Sequence, residues 1–392
     1  MQFLRVIAVV LFVLCFTACG KEVEKPVTST LISNAMIYDG TGAEPYPGSV
    51  RIDFATQKIM AIGDVEALPG EFVYNVEGLA VAPGFIDTHS HHDKDFEDFR
   101  DMPGVVSQGV TTIARGMDGS GSVYSSVADF NAAFTETPAA VNVLSYAPHN
   151  TIRTLVMGDD NRRHASEEEL AAMAELLEQD LQAGAFGLST GLEYEPGIFS
   201  STEEVIALAR VAAEHGGRYS SHLRDEDDQF VEALNEIIRI GKEARIPVHI
   251  SHIKLADRKF WGTTDEILGL LDTARAEGVE LTADIYPYER WASNLAVLFP
   301  DRDYSKRETA EYTFERTAAA EDILLINYPP DPQFEGKNIA EIAAVTERDT
   351  VSTLLELAQA AADYRDATGE PGSGIIAKSM NNTDIARFMK WP

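Results

Sequence analysis

Apolar and polar positions along the 392-residue chain change rhythm twice. Residues 6–16, VIAVVLFVLCF, form an unbroken apolar run. From residue 31 to about 80, the short β-prone runs LISNAMIYDG, GSVRID, KIMAIGD and FVYNVEG are separated by turn pairs such as Asp39 with Gly40 and Pro47 with Gly48. No helical period runs through them, which predicts a small all-β, sandwich-like module. After Pro83 and Gly84, apolar strands alternate with helices: GFIDTH, GVTTIARG, AVNVLSYAPH, GAFGLST, GRYSSHL, IPVHISHIK and ELTADIYPY. The helices between them carry start signals. Ser166 with Glu169 forms a capping box ahead of Leu170, Met173, Leu177 and Leu181, with Gly184 as the stop. Ser201 with Glu204 opens the next helix, which Gly216 and Gly217 end, and Thr263 with Glu266 opens a third. Strands alternating with helices at this spacing predict parallel β/α units, and seven strands in one run predict a (β/α)8 TIM-type barrel rather than an open sheet. GSGIIAKSM, residues 372–380, is one more β-prone run, and TDIARFMKW a short helix before the end.

Composition narrows the function. The chain is 45% hydrophobic and carries 63 acidic against 32 basic residues, a net charge of −31. Phosphate backbones require a basic footprint, so nucleic acid is excluded as a partner. Arg5, the apolar run and the small pair Thr17 and Ala18 make a secretory signal, too short to span a membrane. FTAC before Gly20 resembles a bacterial lipoprotein signal that would leave Cys19 as the lipidated first residue. The expected organisation is a signal over 1–18, a polar tether over 19–30, the β module over 31–80 and the barrel over 81–392. The expected location is the periplasmic face of the envelope, with membrane contact only through the lipid. Cys15 and Cys19 are the two cysteines, so the folded part offers neither a disulfide nor a thiolate ligand.

In a parallel barrel, chemistry gathers at the C-terminal ends of the strands. His89 and His91 end the first strand, Asp118 follows the second and His149 the third. Tyr194 and Glu195 follow the fourth, His222 and Arg224 the fifth, His252 and Lys254 the sixth, and residues 284–288 the seventh. Alternation in IPVHISH groups Val248, Ile250 and His252 on one face, so His252 is assigned to the mouth and His249 to the layer beneath the helices. His92 points away, and His164 and His215 are read as surface residues. Neutral imidazoles with a carboxylate suit a borderline divalent ion such as Zn²⁺.

Six stretches, APGFIDTHSHHD, VSQGVTTIARGMDGSG, GAFGLSTGLEYEPG, GGRYSSHLRDE, IPVHISHIKLA and TADIYPY, together resemble the N-acyl-D-amino-acid deacylases (D-aminoacylases) of the amidohydrolase superfamily. The likeness runs in order from about Leu31 to the C-terminus. It implies a small-molecule N-acyl amino acid as substrate, one or two divalent ions, and hydrolysis of the amide to a carboxylate and a D-amino acid. It also implies one metal held tightly by His222, His252 and a ligand after strand two, with His89 and His91 forming a second, weaker position. Well-known members carry a cysteine after strand two. Here GMDGS puts Asp118 in its place, a hard carboxylate for a soft thiolate, which changes metal preference.

Lys254 and Ser293 match family positions that hold the substrate α-carboxylate, with Tyr194 nearby. Arg224 joins them on charge and place, and Arg290 is positioned to read a second carboxylate on an acidic side chain. The family's proton carrier is a strand-eight aspartate, expected just beyond MKWP. The barrel is therefore expected to be truncated before strand eight, the chain to be a fragment of a longer product, and no catalytic residue is assigned within it. Two other readings remain open: a non-catalytic lipoprotein with a carboxylate-binding pocket, and a superfamily hydrolase of cyclic amides.

Overall fold

The computed structural model describes residues 28–392 apart from 93–95, 97 and 122. The segments expected to be an export signal over 1–18 and a tether over 19–30, Cys19 included, lie outside the described residues except for 28–30. The chain divides into two compact units, Met1–Pro83 and Gly84–Pro392.

In the first unit, β1 (Ser29–Ile37), β2 (Tyr46–Asp53), β3 (Lys58–Gly63), β4 (Phe72–Asn75) and β5 (Ala80–Val81) make one mixed sheet in the order β3-β2-β1-β4, with β5 also on β1. β2 runs antiparallel to β1 and β3, whereas β4 and β5 lie parallel to β1. The module expected to be sandwich-like is thus a single sheet. Its buried cluster is small, Ala35, Ile37, Val50 and Val76, because the hydrophobic residues Phe72, Val73 and Tyr74 of β4 are exposed.

The second unit opens with β6 (Phe85–Asp87), β7 (Val110–Arg115) and β8 (Asn142–Ser145), followed by β9 (Ala147–Pro148), β10 (Gly187–Gly191), β11 (Arg218–His222), β12 (Val248–Ile250) and β13 (Leu281–Ala283). They form two parallel ladders, β6-β7-β8 and β9-β10-β11-β12-β13. Only Tyr146 separates β8 from β9, so the two ladders trace the seven expected strands of a TIM-barrel-like core. Leu188, Tyr219, Val248 and Leu281 stand in register across four strands, are almost fully buried, and pack among the helices Glu167–Gln182, Thr202–Glu214, Phe230–Ala244 and Thr264–Ala276. Each such side chain stabilises the fold by about 1.5–3 kcal/mol.

The next row, Ser189, Ser220, His249 and Thr282, faces the opposite way. This corrects the face assigned to His249. Val248 and Ile250 belong to the helix-packed core, while His249 hydrogen-bonds Thr282 Oγ1 and Asp284 Oδ2, each at 2.8 Å. His252 escapes the alternation because β12 ends at Ile250 and the backbone turns to φ +35° at His252.

The helix starts follow their signals unevenly. Ser166 and Glu169 close both halves of the capping box, and the Ser201 hydroxyl accepts from the Glu204 N–H. Thr263 makes no such cap, since its hydroxyl donates to the Phe260 carbonyl at 2.7 Å. The run at 372–380 is not a barrel strand. As β16 (Gly374–Lys378) it is the centre of an antiparallel sheet between β14 (Arg290–Ser293) and β15 (Ile323–Asn327). Ile375 and Ala377 point into a second core with Leu295, Phe299, Leu325, Ile339 and Leu354. Among the described residues, no helix is long and apolar enough to cross a membrane.

Candidate metal centre

Asp118 is the hub. Beyond β7 the chain enters left-handed backbone at Gly116 (φ +74°) and Asp118 (φ +53°), a region that Gly and Asp tolerate better than most residues. Ser189 of β10 ties this turn down, donating to the Gly116 carbonyl and accepting the Gly119 N–H at 3.0 Å. Gly191 allows the close approach, since a Cβ there would lie 2.2 Å from the Asp118 carbonyl oxygen. The buried Asp118 presents Oδ2 at 3.3 Å from His89 Nε2, 3.1 Å from His91 Nε2 and 3.6 Å from His252 Nε2. His222 Nδ1 lies 3.0 Å from His252 Nε2, and His89 Nε2 lies 3.3 Å from His91 Nε2. The structure therefore brings the five sequence-predicted ligands together from the ends of four strands.

Their donor atoms fall into groups able to hold an ion: His89, Asp118 and His252, and then His222, Glu226 and His252, each within 4.8 Å. Two observations fit a cation. Buried Asp118 Oδ1 and His89 Nδ1 have no hydrogen-bond partner, and imidazole nitrogens converge on each other beside a carboxylate. Burial pulls the His222 imidazole down to about 3, so its ring is neutral with a lone pair to offer. At His89 burial acts in the same direction, but Asp118 and Asp284 outweigh it and raise the ring to about 10. Asp118, despite burial, is held well below the usual carboxylate range by His89 and His252.

Three carboxylates that sequence reasoning left without a role stand behind these rings. Glu193 Oε2 is 2.7 Å from His222 Nε2, and Glu226 Oε1 is 3.0 Å from His252 Nδ1. Asp284 Oδ1 accepts the His252 backbone N–H at 2.6 Å, and its Oδ2 lies 3.4 Å from His89 Nδ1 without forming a hydrogen bond. Glu226 lies four residues beyond His222 in SHLRDE and Asp284 stands at the end of the seventh strand, whereas Glu193 carried no usable signal.

A cavity of about 1370 Å³ opens over the centre, walled by Tyr194, Lys254, Arg290 and Ser293 among others. Lys254 is buried, with Nζ 2.5 Å from Glu226 Oε1 and 2.8 Å from His252 Nδ1. Ser293 Oγ donates to Tyr194 Oη at 3.4 Å, and Arg290 stands half-exposed at the wall, 3.4 Å from Asp322. Arg224 is a correction. It grips both oxygens of Glu236 at 2.9 Å, donates to the Ile198 carbonyl, and is not part of the cavity wall. His149 is likewise turned away, fully buried against Glu204 at 2.9 Å. His164 and His215 are exposed.

The sequence model of the amidohydrolase family matches residues 73–387. A D-aminoacylase of Alcaligenes xylosoxydans xylosoxydans is 34% identical over 357 residues, spanning 85% of this chain and 69% of the relative. An N-acyl-D-aspartate deacylase of the same organism is 33% identical, spanning 85% of this chain and 67% of the relative. The crystal structure of N-acyl-D-glutamate deacylase from Bordetella bronchiseptica, in complex with zinc and a phosphonate that mimics the tetrahedral intermediate, superposes with a TM-score of 0.78 at 29% identity, covering 92% of this chain and 73% of that one.

Proposed function

Because the chain belongs to the amidohydrolase superfamily, and within it to the D-aminoacylase subfamily, we propose that the complete protein hydrolyses the amide bond of N-acyl-D-amino acids. The observation that carries this reading is the meeting of His89, His91, Asp118, His222 and His252 around one buried carboxylate. These five would hold one or two divalent ions, zinc first, as in the zinc complex of the Bordetella deacylase. A bound ion supplies polarisation of the acyl carbonyl and activation of water.

The chain's own residues then bind and orient. The Lys254 ammonium, kept at the cavity wall by Glu226, and the paired hydroxyls of Tyr194 and Ser293 take the substrate α-carboxylate, leaving the amide facing the centre. Arg224 has no part, being engaged by Glu236. Arg290 at the wall meets the far end of the substrate, where an acidic side chain would displace Asp322 as its partner. The two curated relatives differ in substrate at nearly equal identity, so the side chain preferred here rests on this wall. Export as a lipoprotein through Cys19 is proposed from its signal alone.

The test combines metal analysis with a substrate panel. Purified protein is expected to hold zinc and to lose it in H222A and H252A, and the complete protein, with the strand-eight aspartate present, to prefer N-acetyl-D-amino acids over their L-forms and over hydantoins. Full zinc in both variants would remove the ligand assignment, and turnover of hydantoins alone would replace the substrate.

A further inference from the structure

We infer that Glu226 and Glu193 dictate which ring nitrogen His252 and His222 offer to a metal ion, and that Glu226 does so by engaging the Lys254 ammonium that lies against the same nitrogen of His252. The inference rests on the reading of the centre as a metal site, and not on the choice of substrate.

A neutral imidazole carries one N–H and one lone pair, so whatever accepts the N–H decides where the lone pair points. His222 has Nε2 against Glu193 Oε2 at 2.7 Å, which leaves Nδ1 facing His252 and the centre. His252 is the contested ring. Its Nε2 faces the centre, 3.6 Å from Asp118 Oδ2 and 3.0 Å from His222 Nδ1. Its Nδ1 has two neighbours with opposite demands. Glu226 Oε1 at 3.0 Å can only accept, and therefore places the proton on Nδ1 and frees Nε2. Lys254 Nζ at 2.8 Å can only donate, and would take the Nδ1 lone pair and force the proton onto Nε2, the nitrogen a metal needs. Glu226 settles the competition by accepting from both, since its Oε1 also lies 2.5 Å from Lys254 Nζ. One carboxylate oxygen thus aligns a metal ligand and the cation proposed to meet the substrate. That double engagement commits Oε1 to the far nitrogen of His252 and leaves Oε2, 3.6 Å from His222 Nε2, as the oxygen Glu226 could offer an ion.

Glu193 and Glu226 are therefore positioning residues, and the test reads metal affinity and ring protonation rather than turnover. Metal-free full-length protein is titrated with zinc, and imidazole ¹⁵N shifts are recorded before and after. The wild type should show the proton on Nδ1 of His252 and on Nε2 of His222. E226Q, and E193L, which offers no acceptor to His222 Nε2, should each bind zinc roughly 10–100-fold more weakly, the range for losing such an outer partner. The decisive variant is E226Q/K254M. With the competing ammonium gone, the carbonyl of the introduced amide can accept the Nδ1 proton, and zinc affinity should recover most of the E226Q loss. A merely structural role for Glu226 predicts no rescue, so a double variant as weak as E226Q overturns the inference, as do wild-type zinc affinity in E226Q or the opposite ring protonation in the wild type. The ¹⁵N result on wild type decides the matter even where E226Q does not fold. A wild type that takes up no zinc would bring down the metal reading itself. Zinc binding with the expected variant series, but no hydrolysis of N-acyl-D-amino acids by the complete protein, would remove only the substrate.

Discussion

Asp118 becomes a ligand through residues that carry no chemistry themselves. The carboxylate hangs on a left-handed turn that Ser189 anchors and that only a glycine at 191 leaves room for. Gly191→Ala would drive its methyl into the Asp118 carbonyl, so the turn must shift. We expect destabilisation of about 1–3 kcal/mol, typical of overpacking, together with a loss of zinc affinity that no ligand substitution accounts for. Calorimetric melting and zinc titration on the same preparation check both. A second expectation separates two basic positions that look alike in sequence. Arg224 lies two residues beyond a ligand histidine, as Lys254 does, yet it is bound bidentately to Glu236 on the helix Phe230–Ala244. Lys254→Met should raise KM for an N-acyl-D-amino acid at least tenfold. Arg224→Ala should leave KM near the wild-type value and lower thermal stability instead, since among the described residues Glu236 then keeps only Thr202 Oγ1 as a hydrogen-bond partner. A KM effect in Arg224→Ala would return it to the substrate wall.

At the scale of elements, the helix Thr202–Glu214 docks through Glu204, which is buried against His149 and accepts from Arg153 at 2.6 Å. Burial pushes the Glu204 carboxyl up, but His149 and Arg153 outweigh it and hold it below its ordinary value. A carboxylate depressed on folding contributes stability that is complete above its unfolded pKa and disappears as pH falls through the folded one. Glu204→Ala should cost about 3–5 kcal/mol near neutral pH, because Arg153 is left buried and uncompensated. Denaturant titrations from pH 7 down into the acid range should show the gap to wild type closing. A gap constant with pH would mean that packing rather than charge holds the helix. The same elements show what was legible beforehand. Strand order, helix starts at Ser166 and Ser201 and the residues at strand ends follow from local pattern, because period and capping are local chemistry. The face of β12 was not legible. Val248, His249 and Ile250 alternate as expected, but whether the aliphatic pair meets helices or the barrel interior depends on neighbours far along the chain. Glu193 was missed, and Asp284 was placed only as a strand end, for the same reason, since their roles exist only through groups on other strands.

For the molecule as a whole, the ligands tie together strands that sequence keeps apart: β6, the turn after β7, β11 and the end of β12. The β16 run could not be placed from sequence because its two buried residues fit any sheet, and only its pairing with β14 and β15 gives it to the second core. Removing metal should therefore loosen strand ends rather than unfold the chain. Metal that binds only the folded state stabilises it by about 2.7 kcal/mol at a hundredfold excess over Kd, which for a domain of this size amounts to roughly 5 °C in Tm. Chelation should lower Tm by that amount, and zinc should restore it in a concentration-dependent way. Hydrogen exchange should localise the effect. Amides of Gly191, His222 and His252 and of the turn at Asp118 should exchange faster without metal, whereas β1 to β4 supply no ligand and should not change. Equal acceleration in both units would mean that the ion acts on general stability and not on the strand ends it joins.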